Sequence, residues 1–358
     1  MPLKDPMHPD EVTSEWLTHA LRSGGVIKEA SVVSVERDIL GEGVGFLSSV
    51  VRAHMEYDRK EEGAPSSVVV KIEPEDGEFQ EFGEELDAFV REIRFYRDVA
   101  VNVPARLPKV YYAVDKPPAY SMVMEDLSSL TPGDQIVGMH KSQVMDTVSV
   151  LAKIQASYWN NSALQELNWM PVTNSMGKDF NQKWDSFVEH YGELVGPEGL
   201  AVGEKLRGSL DWKKNEIERR PKTIVHSDLR EDNILFGPEN SDSHIIILDW
   251  QLTIRSIGAF DVARVISGSE IPKERTGHQF EILRKWHDTL IEQGVRDYPW
   301  DDAIYDFRLG MLAFLCYPVH FHTAVIDSEG RTQELAHAIF SRSFRSAAEI
   351  DAGSILPD

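Results

Sequence analysis

Four residues in the second half of the chain have the types and spacing that phosphoryl transfer requires. His226, Asp228 and Asn233 stand in an H-x-D-x-x-x-x-N arrangement, and sixteen residues after Asn233 the apolar run 245–248 leads into Asp249. Transfer from Mg-ATP needs a carboxylate beside the acceptor hydroxyl, and an Asn and an Asp that hold magnesium against the phosphates. The spacing therefore predicts Asp228 as the catalytic carboxylate and Asn233 and Asp249 as magnesium ligands.

Each of these residues also has an ordinary structural explanation. Asp228 could be a turn residue after a strand, Asn233 a turn or cap residue, and Asp249 a strand-end residue that caps the next turn. The joint spacing favours the chemical interpretation, because a hard cation such as Mg²⁺ prefers oxygen ligands of this kind. His226 is expected to pack and hydrogen-bond so that it holds the loop, and to take no part in the chemistry.

A second set of residues could contact the phosphates of ATP. Lys71 lies in the β-branched run 66–72, where an unpaired ammonium would be costly, so a partner is expected. The apolar spacing of the following predicted helix selects Glu92 from the nine acids of residues 73–92. Kinases use such a strand Lys and helix Glu to direct an ammonium at the α- and β-phosphates. The alternative is that Lys71 extends from an edge strand, and most of the acids form a solvated face in either case.

Two backbone segments could contact the rest of a nucleotide. Gly41, Gly43 and Gly45 form a G-x-G-x-G turn whose N–H groups could approach phosphates closely, with an ordinary hairpin turn as the alternative. Backbone groups of Glu125 and Leu127, at the end of the strand-rich part, could hydrogen-bond to an adenine. A simple linker is the alternative there.

The elements that must position these residues change in character near residue 127. Before it, the pattern predicts helices at 9–21 and 79–100 and strands at 31–40, 46–57, 66–72, 109–114 and 120–124. After it, the pattern is typical of helices at 142–160, 180–194, 204–219, 259–267, 275–293, 303–325 and 332–350. We expect an α+β chain with two lobes. Residues 1–127 would form a nucleotide-binding antiparallel sheet with one inserted and one leading helix, and residues 128–358 a helical catalytic and substrate-binding lobe.

Composition restricts the partners and the compartment. A net charge of −22 disfavours a nucleic-acid partner; it could favour a cationic substrate, although surface acidity more often serves solubility. Cys316 is the only cysteine, which excludes an internal disulfide and fits a reducing compartment. The N-terminal residues lack the apolar stretch of a signal peptide, and no apolar run reaches the roughly 20 residues of a membrane helix. A cytoplasmic protein without a membrane partner is expected, of an oligomeric state that the sequence does not indicate.

Taken together, these residues resemble the protein-kinase-like fold, and within it the small-molecule branch of aminoglycoside phosphotransferases, choline kinases and ecdysteroid-kinase-like proteins. The resemblance covers roughly residues 30–325 and rests on Lys71, Glu92, Met124–Leu127, His226–Asp228, Asn233, Asp249–Gln251 and Gly258–Ala263. It implies a two-lobed kinase that uses ATP and Mg²⁺. It also implies a structural role for Asp261, bonding loop backbone near the catalytic turn. Gln155 stands where the family commonly has a histidine.

Two departures separate the chain from protein kinases. Ser227 replaces the Arg of H-R-D, and only eleven residues lie between Asp249 and Asp261, with no A-P-E after them. A small acceptor is therefore expected in place of a peptide. The function expected is phosphorylation of a small-molecule hydroxyl by Mg-ATP. The alternatives are a catalytically silent nucleotide-binding pseudokinase and, less favoured, a protein kinase.

The acceptor pocket is expected among the helical segments 160–220 and 300–325. The candidates to line it are Trp169, Trp184, Tyr317, His320 and His322. The two histidines are two residues apart, so on a helix they do not face the same way, and they are not expected to bind a metal.

Overall fold

The computed structural model describes residues 4–40, 49–73, 83, 86–116, 119–173, 177–241, 244–275 and 277–357. The chain divides into two compact units. The first consists of Met1–Asn102, Leu107–Thr131 and Leu248–Leu252. The second consists of Val103–Arg106, Pro132–Ile247 and Thr253–Asp358. The first unit therefore includes a short segment from far along the chain, and this segment carries Asp249.

The first unit contains the predicted antiparallel sheet, with its strands in the order β1-β2-β3-β5-β4. The strands are β1 (Val32–Leu40), β2 (Ser49–Tyr57), β3 (Ser67–Ile72), β4 (Val110–Lys116) and β5 (Ala119–Glu125). Val68, Val70 and Ile72 alternate along β3 and enter the core, as the period of a half-buried strand requires. Lys71 therefore points to the opposite face of the sheet.

Two helices accompany this sheet. Helix α1 (Ser14–Ser23) begins where Thr13 accepts a hydrogen bond from the backbone of Trp16, and its buried residues join the core of β2 and β3. Helix α2 (Ala88–Arg94) continues as a π-turn at Phe95–Val99 and a 3-10 turn at Ala100–Asn102. The predicted helix 79–100 is thus present in its second half, and residues 79–82 and 84–85 lie outside the described residues.

The second unit is mostly helical, so the α+β prediction is confirmed. Its helices are α3 (Lys141–Ser157), α4 (Ser162–Glu166), α5 (Phe180–Arg207), α6 (Leu210–Arg219), α7 (Ala259–Ser269), α8 (Pro272–Arg275), α9 (Gln279–Glu292), α10 (Trp300–Phe314), α11 (Cys316–Val325) and α12 (Gly330–Glu349). A two-residue strand, β6 (Thr131–Pro132), lies where the chain leaves the first unit. In the described parts of the chain, no helix has the length and apolar character needed to cross a membrane.

Two predicted helices, 204–219 and 303–325, are each divided in the structure. The break in the first lies between α5 and α6. The predicted end of helix 180–194 agrees with the structure, because Gly196 has a non-helical φ of +79° and is followed by Pro197. The predicted helix 303–325 is two helices, α10 and α11, which meet at Leu315. Pro318 explains the second break, because it lacks an N–H and is tolerated only in the first turn of a helix.

Two short antiparallel strand pairs in the second unit place its loops. Strand β7 (Thr223–Val225) pairs with β10 (Ile254–Ser256), and β8 (Ile234–Phe236) pairs with β9 (Ile245–Ile247). The chain between β7 and β8 is the H-x-D-x-x-x-x-N segment. Because both of its ends are held in paired strands, the short loop between them has little freedom.

Candidate active site

In the first unit, Lys71 is at the centre of a small ionic cluster. Its Nζ lies 2.8 and 2.7 Å from the two carboxylate oxygens of Glu92 and 3.1 Å from Oδ1 of Asp249. The pairing of Lys71 with Glu92 that the sequence predicted is therefore present. The edge-strand alternative is wrong, since β3 lies between β2 and β5. The Glu92 side chain is only 2% exposed, so little water screens this pair.

The charges of the cluster are mutually dependent. Burial by itself would lower the pKa of Lys71, but the carboxylates of Asp249 and Glu92 outweigh it and raise the pKa above its ordinary value. Burial raises the pKa of Glu92, and the Lys71 ammonium opposes this rise. Two short contacts to one ammonium are the geometry of an ionised pair. Lys71 is thus held as a cation in a fixed direction, which its predicted role as a phosphate ligand requires.

An aromatic stack holds Asp249 in this cluster. Trp250 lies flat on Phe95, with ring centroids 4.0 Å apart and an interplanar angle of 6°, and both rings are buried. Because Phe95 directly follows α2, the stack attaches the turn at 248–252 to the helix that carries Glu92. Asp249 itself has a left-handed backbone (φ +64°), and its Oδ2 accepts a hydrogen bond from Gln251 Nε2 at 3.3 Å.

Glu92→Gln should destabilise the first unit measurably. The neutral amide leaves the Lys71 ammonium with Asp249 as its charged partner, and we expect a loss of about 1–3 kcal/mol in the free energy of unfolding, as for a weakened buried charged hydrogen bond. Chemical denaturation measures this. Glu56→Gln, at an exposed position of β2, is the matched control and should stay within about 0.5 kcal/mol. Equal stabilities for the two variants would contradict a supporting role of the pair.

The proposed nucleotide-contacting backbone is only partly described. The Glu125 N–H donates to the carbonyl of Lys109 at 2.9 Å, so this N–H is already used within the sheet. The Leu127 carbonyl accepts from Leu130 N–H, whereas the Leu127 N–H has no partner among the described residues. Asp126, between them, accepts a hydrogen bond from Ser67 at 2.7 Å and so attaches this segment to β3. Gly41, Gly43 and Gly45 lie outside the described residues.

In the second unit, Asp261 holds the backbone of the loop before Asp228. Its two oxygens accept hydrogen bonds from the N–H groups of His226 at 2.8 Å and Ser227 at 2.9 Å. Burial raises the pKa of Asp261 to about 7, and these two amide donors act in the opposite direction. This is the structural position that the resemblance implied for Asp261. The bonds also support Ser227 in its left-handed conformation (φ +73°).

His226 and Gln155 are structural in the same region. His226 is fully buried, and its Nδ1 accepts from the Asp228 N–H at 3.3 Å. Gln155 donates from Nε2 to the carbonyl of Gly258 at 3.1 Å and to Asp261 at 3.3 Å, and its Oε1 accepts from Trp286 Nε1 at 2.8 Å. An amide supplies a donor and an acceptor at once without a tautomer choice, so it satisfies this buried position.

The Asp228 carboxylate is held by three side chains of the second unit. Arg264 Nη2 lies 3.2 Å from Oδ1, while Arg230 Nε and Asn233 Nδ2 each lie 3.4 Å from Oδ2. Asn233 Nδ2 also donates to the main-chain oxygen of Asp228 at 2.9 Å. With its amide nitrogen used in this way, Asn233 has its amide oxygen as the atom that could bind a cation.

A family model decides the classification. The model of the ecdysteroid kinase-like family matches residues 42–296, more than two thirds of the chain. This chain belongs to the ecdysteroid kinase-like family. The resemblance inferred from the motif residues is therefore confirmed.

Solved structures share the fold of this ecdysteroid kinase-like chain. Choline kinase from Cryptosporidium parvum Iowa II aligns with a TM-score of 0.58 at 14% identity, over 96% of this chain and 98% of its own. A proposed aminoglycoside phosphotransferase from Ralstonia eutropha JMP134 gives 0.52 at 14%, over 97% and 99%. A microcompartment-associated aminopropanol kinase gives 0.50 at 16%, over 95% and 100%. Such low identities show the fold alone, and a comparison with curated proteins gave no match.

The contact of Arg264 with Asp228 was not predicted from the sequence. It lies three residues after Asp261 in α7, where all eleven residues are buried, and its guanidinium lies 4.7 Å from the ring centroid of Phe314. Gly268, one turn later, leaves it room, since a Cβ there would lie 2.0 Å from Arg264 Nη1. The available signal was a single arginine within an apolar helix, because a buried guanidinium requires an anionic partner.

Arg264→Leu should slow turnover through Asp228, the residue that the sequence predicts to be the catalytic carboxylate. Misplacing a catalytic group by about 1 Å can cost roughly 100-fold, so we expect kcat to fall about 10- to 100-fold with little change in the KM for ATP. Arg264→Lys should restore part of the loss, because it keeps the charge. Steady-state kinetics measures both. Arg284, whose guanidinium lies over Trp300, gives the control Arg284→Leu. An unchanged kcat in a folded Arg264→Leu protein contradicts the positioning role.

In the second unit, a cavity of about 590 Å³ opens beside the loop that carries Asp228. Tyr317 lines it and lies with its hydroxyl 2.6 Å from Ser227 Oγ. The other predicted pocket residues are placed differently. Trp184 is buried in an aromatic cluster with Phe180, Phe187 and Phe344, and His322 is a fully buried neighbour of this cluster. His320 pairs with Asp179 at 3.0 Å. Neither His320 nor Trp169 is among the described lining residues.

Proposed function

We propose that this chain is an ATP- and Mg²⁺-dependent kinase that transfers the γ-phosphate to a hydroxyl group of a small molecule. The observation that carries the proposal is the buried cluster in which one ammonium, Lys71, contacts both Glu92 and Asp249. Kinases require this Lys–Glu pair and a magnesium-binding Asp. The names of the choline kinase and the aminopropanol kinase that share the fold support a small alcohol as acceptor.

The residues present suit the implied metal. Mg²⁺ takes one or two protein oxygens and completes its shell with phosphate and water, so it needs no all-protein cage. The described residues contain no cluster of three or more His, Cys, Asp or Glu side chains arranged for a metal. The proposed ligands are the Asp249 carboxylate and the amide oxygen of Asn233. When bound, magnesium would neutralise charge on the phosphates.

The remaining roles rest on the contacts described above and, for the three glycines, on the sequence pattern alone. Lys71, held by Glu92, would bind phosphate oxygens, and Gly41, Gly43 and Gly45 would offer backbone N–H groups to the phosphates. The carbonyl of Glu125 and the N–H of Leu127 would bind adenine. Asp228 would orient the acceptor hydroxyl and take its proton as the new O–P bond forms and the bond to ADP breaks.

The segment after Asp249 supports a small acceptor. A 3-10 turn at Trp250–Leu252, strand β10 and the start of α7 account for most of the residues before Asp261. No long exposed loop is available there to dock a peptide, as the activation segment of a protein kinase does.

The test is transfer of label from γ-phosphate-labelled ATP, with Mg²⁺, to a panel of small alcohols. The panel contains choline, ethanolamine, aminopropanol, sugars, sterols and hydroxy acids, with a generic peptide substrate beside them. A labelled small product that requires Mg²⁺ supports the proposal. Labelled peptide would instead favour a protein kinase. Nucleotide binding without any labelled product, across this panel and a cell-derived small-molecule extract, would favour the pseudokinase alternative.

A further inference from the structure

The cavity beside Tyr317 contains a buried ammonium. Lys213 is the one buried residue among the ten described residues of α6, with 9% of its surface exposed, and it lines the cavity. Its Nζ donates to Sγ of the buried Cys316 at 2.8 Å. No carboxylate of a described residue forms an ion pair with it. Burying an ammonium without an anionic partner is costly, so its position calls for an explanation.

The charge around this cavity differs from that of the whole chain. The described lining includes four cationic side chains (Lys178, Arg207, Lys213, Lys214) and two anionic ones (Asp211, Glu218), in a chain with a net charge of −22. The charge of Arg207 is compensated by Asp185, whose Oδ1 lies 2.7 Å from Arg207 Nη1. No carboxylate of the described residues compensates Lys213 in this way. The lining of this cavity is therefore more cationic than the chain as a whole. A cationic substrate, which the overall acidity could favour, does not fit this cavity.

The rest of the wall suits the apolar part of a small molecule. Ile254, Phe260 and Tyr317 line the cavity on the side of β10, α7 and α11. Tyr317 is hydrogen-bonded to Ser227, the residue before Asp228. One wall is therefore directly attached to the loop that carries the proposed catalytic carboxylate, while the ammonium lies in the same cavity. Gly177 borders the ammonium, since a Cβ there would lie 3.3 Å from Lys213 Nζ.

We infer that Lys213 binds the carboxylate of the acceptor, and that the acceptor class is a hydroxy acid with an apolar body. The inference rests on the proposed function for the hydroxyl end of the acceptor only. The carboxylate would pair with the Lys213 ammonium, its apolar body would pack on the wall of Ile254 and Phe260, and its hydroxyl would be the group that is phosphorylated.

The test compares three head groups on one body: 8-hydroxyoctanoate, 8-hydroxyoctanamide and 8-amino-1-octanol. Isothermal titration calorimetry with the full chain measures binding without any need for turnover. A charge-assisted hydrogen bond corresponds to roughly 10- to 100-fold in Kd, so the carboxylate should bind that much more tightly than the amide, and the amine most weakly. Tightest binding of the amine, equal binding of all three, or no binding of the carboxylate overturns the inference.

Variants connect this preference to one side chain. Lys213→Met should remove the advantage of 8-hydroxyoctanoate over its amide, and Lys213→Arg should keep most of it. Lys285→Met, at an exposed position of α9, is the control and should change nothing. If Lys213→Met does not fold, the inference is still tested by two measurements. These are the ranking of the three compounds on the unaltered chain and the carboxylate advantage in Lys213→Arg. A carboxylate advantage that persists in folded Lys213→Met overturns the inference.

Binding and phosphate transfer can fail separately. Binding of 8-hydroxyoctanoate that depends on Lys213, without labelled product from any alcohol in the panel, would support the anion site and count against the proposed kinase. Labelled product from neutral or cationic alcohols, unaffected by Lys213→Met, would support the kinase and overturn the hydroxy-acid inference.

Discussion

Replacing Asp228 by asparagine is expected to lower kcat by about 10²- to 10⁴-fold, the range that a positioned general base contributes. Asparagine has nearly the same shape, so it can keep contacts with Arg264, Arg230 and Asn233, whereas it loses the basic oxygen that would take the proton. Binding of ADP should therefore change less than about twofold, because Asp228 has no proposed contact with the nucleotide. Steady-state kinetics and calorimetric titration with ADP measure the two effects.

The control for Asp228 is an acid of the same type away from the proposed site. Asp288, on α9, has a side chain that is 56% exposed, and Asp288→Asn should leave kcat unaltered. If Asp228→Asn instead weakened ADP binding strongly and retained turnover, the assignment of Asp228 as the catalytic carboxylate would be wrong. A parallel loss of thermal stability in Asp228→Asn alone would point to a structural role in the loop.

The pair of Lys71 and Glu92 could be predicted from the sequence because the physical constraint is local. An ammonium in a β-branched strand needs a carboxylate, and the apolar spacing of α2 leaves Glu92 as the helix acid beside buried neighbours. The α+β pattern was predictable for the same reason, since strand and helix periodicities are properties of short segments. The end of the predicted helix 180–194 has a local signal too, the Gly196-Pro197 pair that follows it.

Other features depend on contacts between distant residues and could not be predicted. Trp250 stacks on Phe95, more than 150 positions earlier, and no spacing rule connects the two rings. Trp184 is of a residue type that often lines pockets, yet packing places it within an aromatic cluster. Lys213 has an unremarkable position in a polar helix, and its burial against Cys316 depends on how α6 meets the start of α11. Pairings of this kind are decided by tertiary packing.

Replacing Asp249 by asparagine is expected to remove most of the magnesium dependence of nucleotide binding. Asp249 is the one proposed metal ligand with a full negative charge, and a metal contributes several kcal/mol to stabilising transferred phosphate. We therefore expect kcat to fall by roughly 10²- to 10³-fold, at about 1.4 kcal/mol for each factor of ten. The decisive measurement is the Kd of ADP with Mg²⁺ and with EDTA, in both proteins. Asp38→Asn, an exposed acid of β1, is the control.

The comparison with EDTA separates two roles that the structure gives Asp249. Its Oδ1 lies 3.1 Å from Lys71 Nζ, so the carboxylate could serve only as a second counter-ion to the ammonium. In that case Asp249→Asn would weaken ADP binding by the same factor with Mg²⁺ and with EDTA, because the substitution would change only the orientation of the Lys71 ammonium. A metal ligand predicts the opposite pattern. The Kd of ADP with Mg²⁺ should rise towards the EDTA value, and the EDTA value should change little, because Glu92 still holds the ammonium through two short contacts.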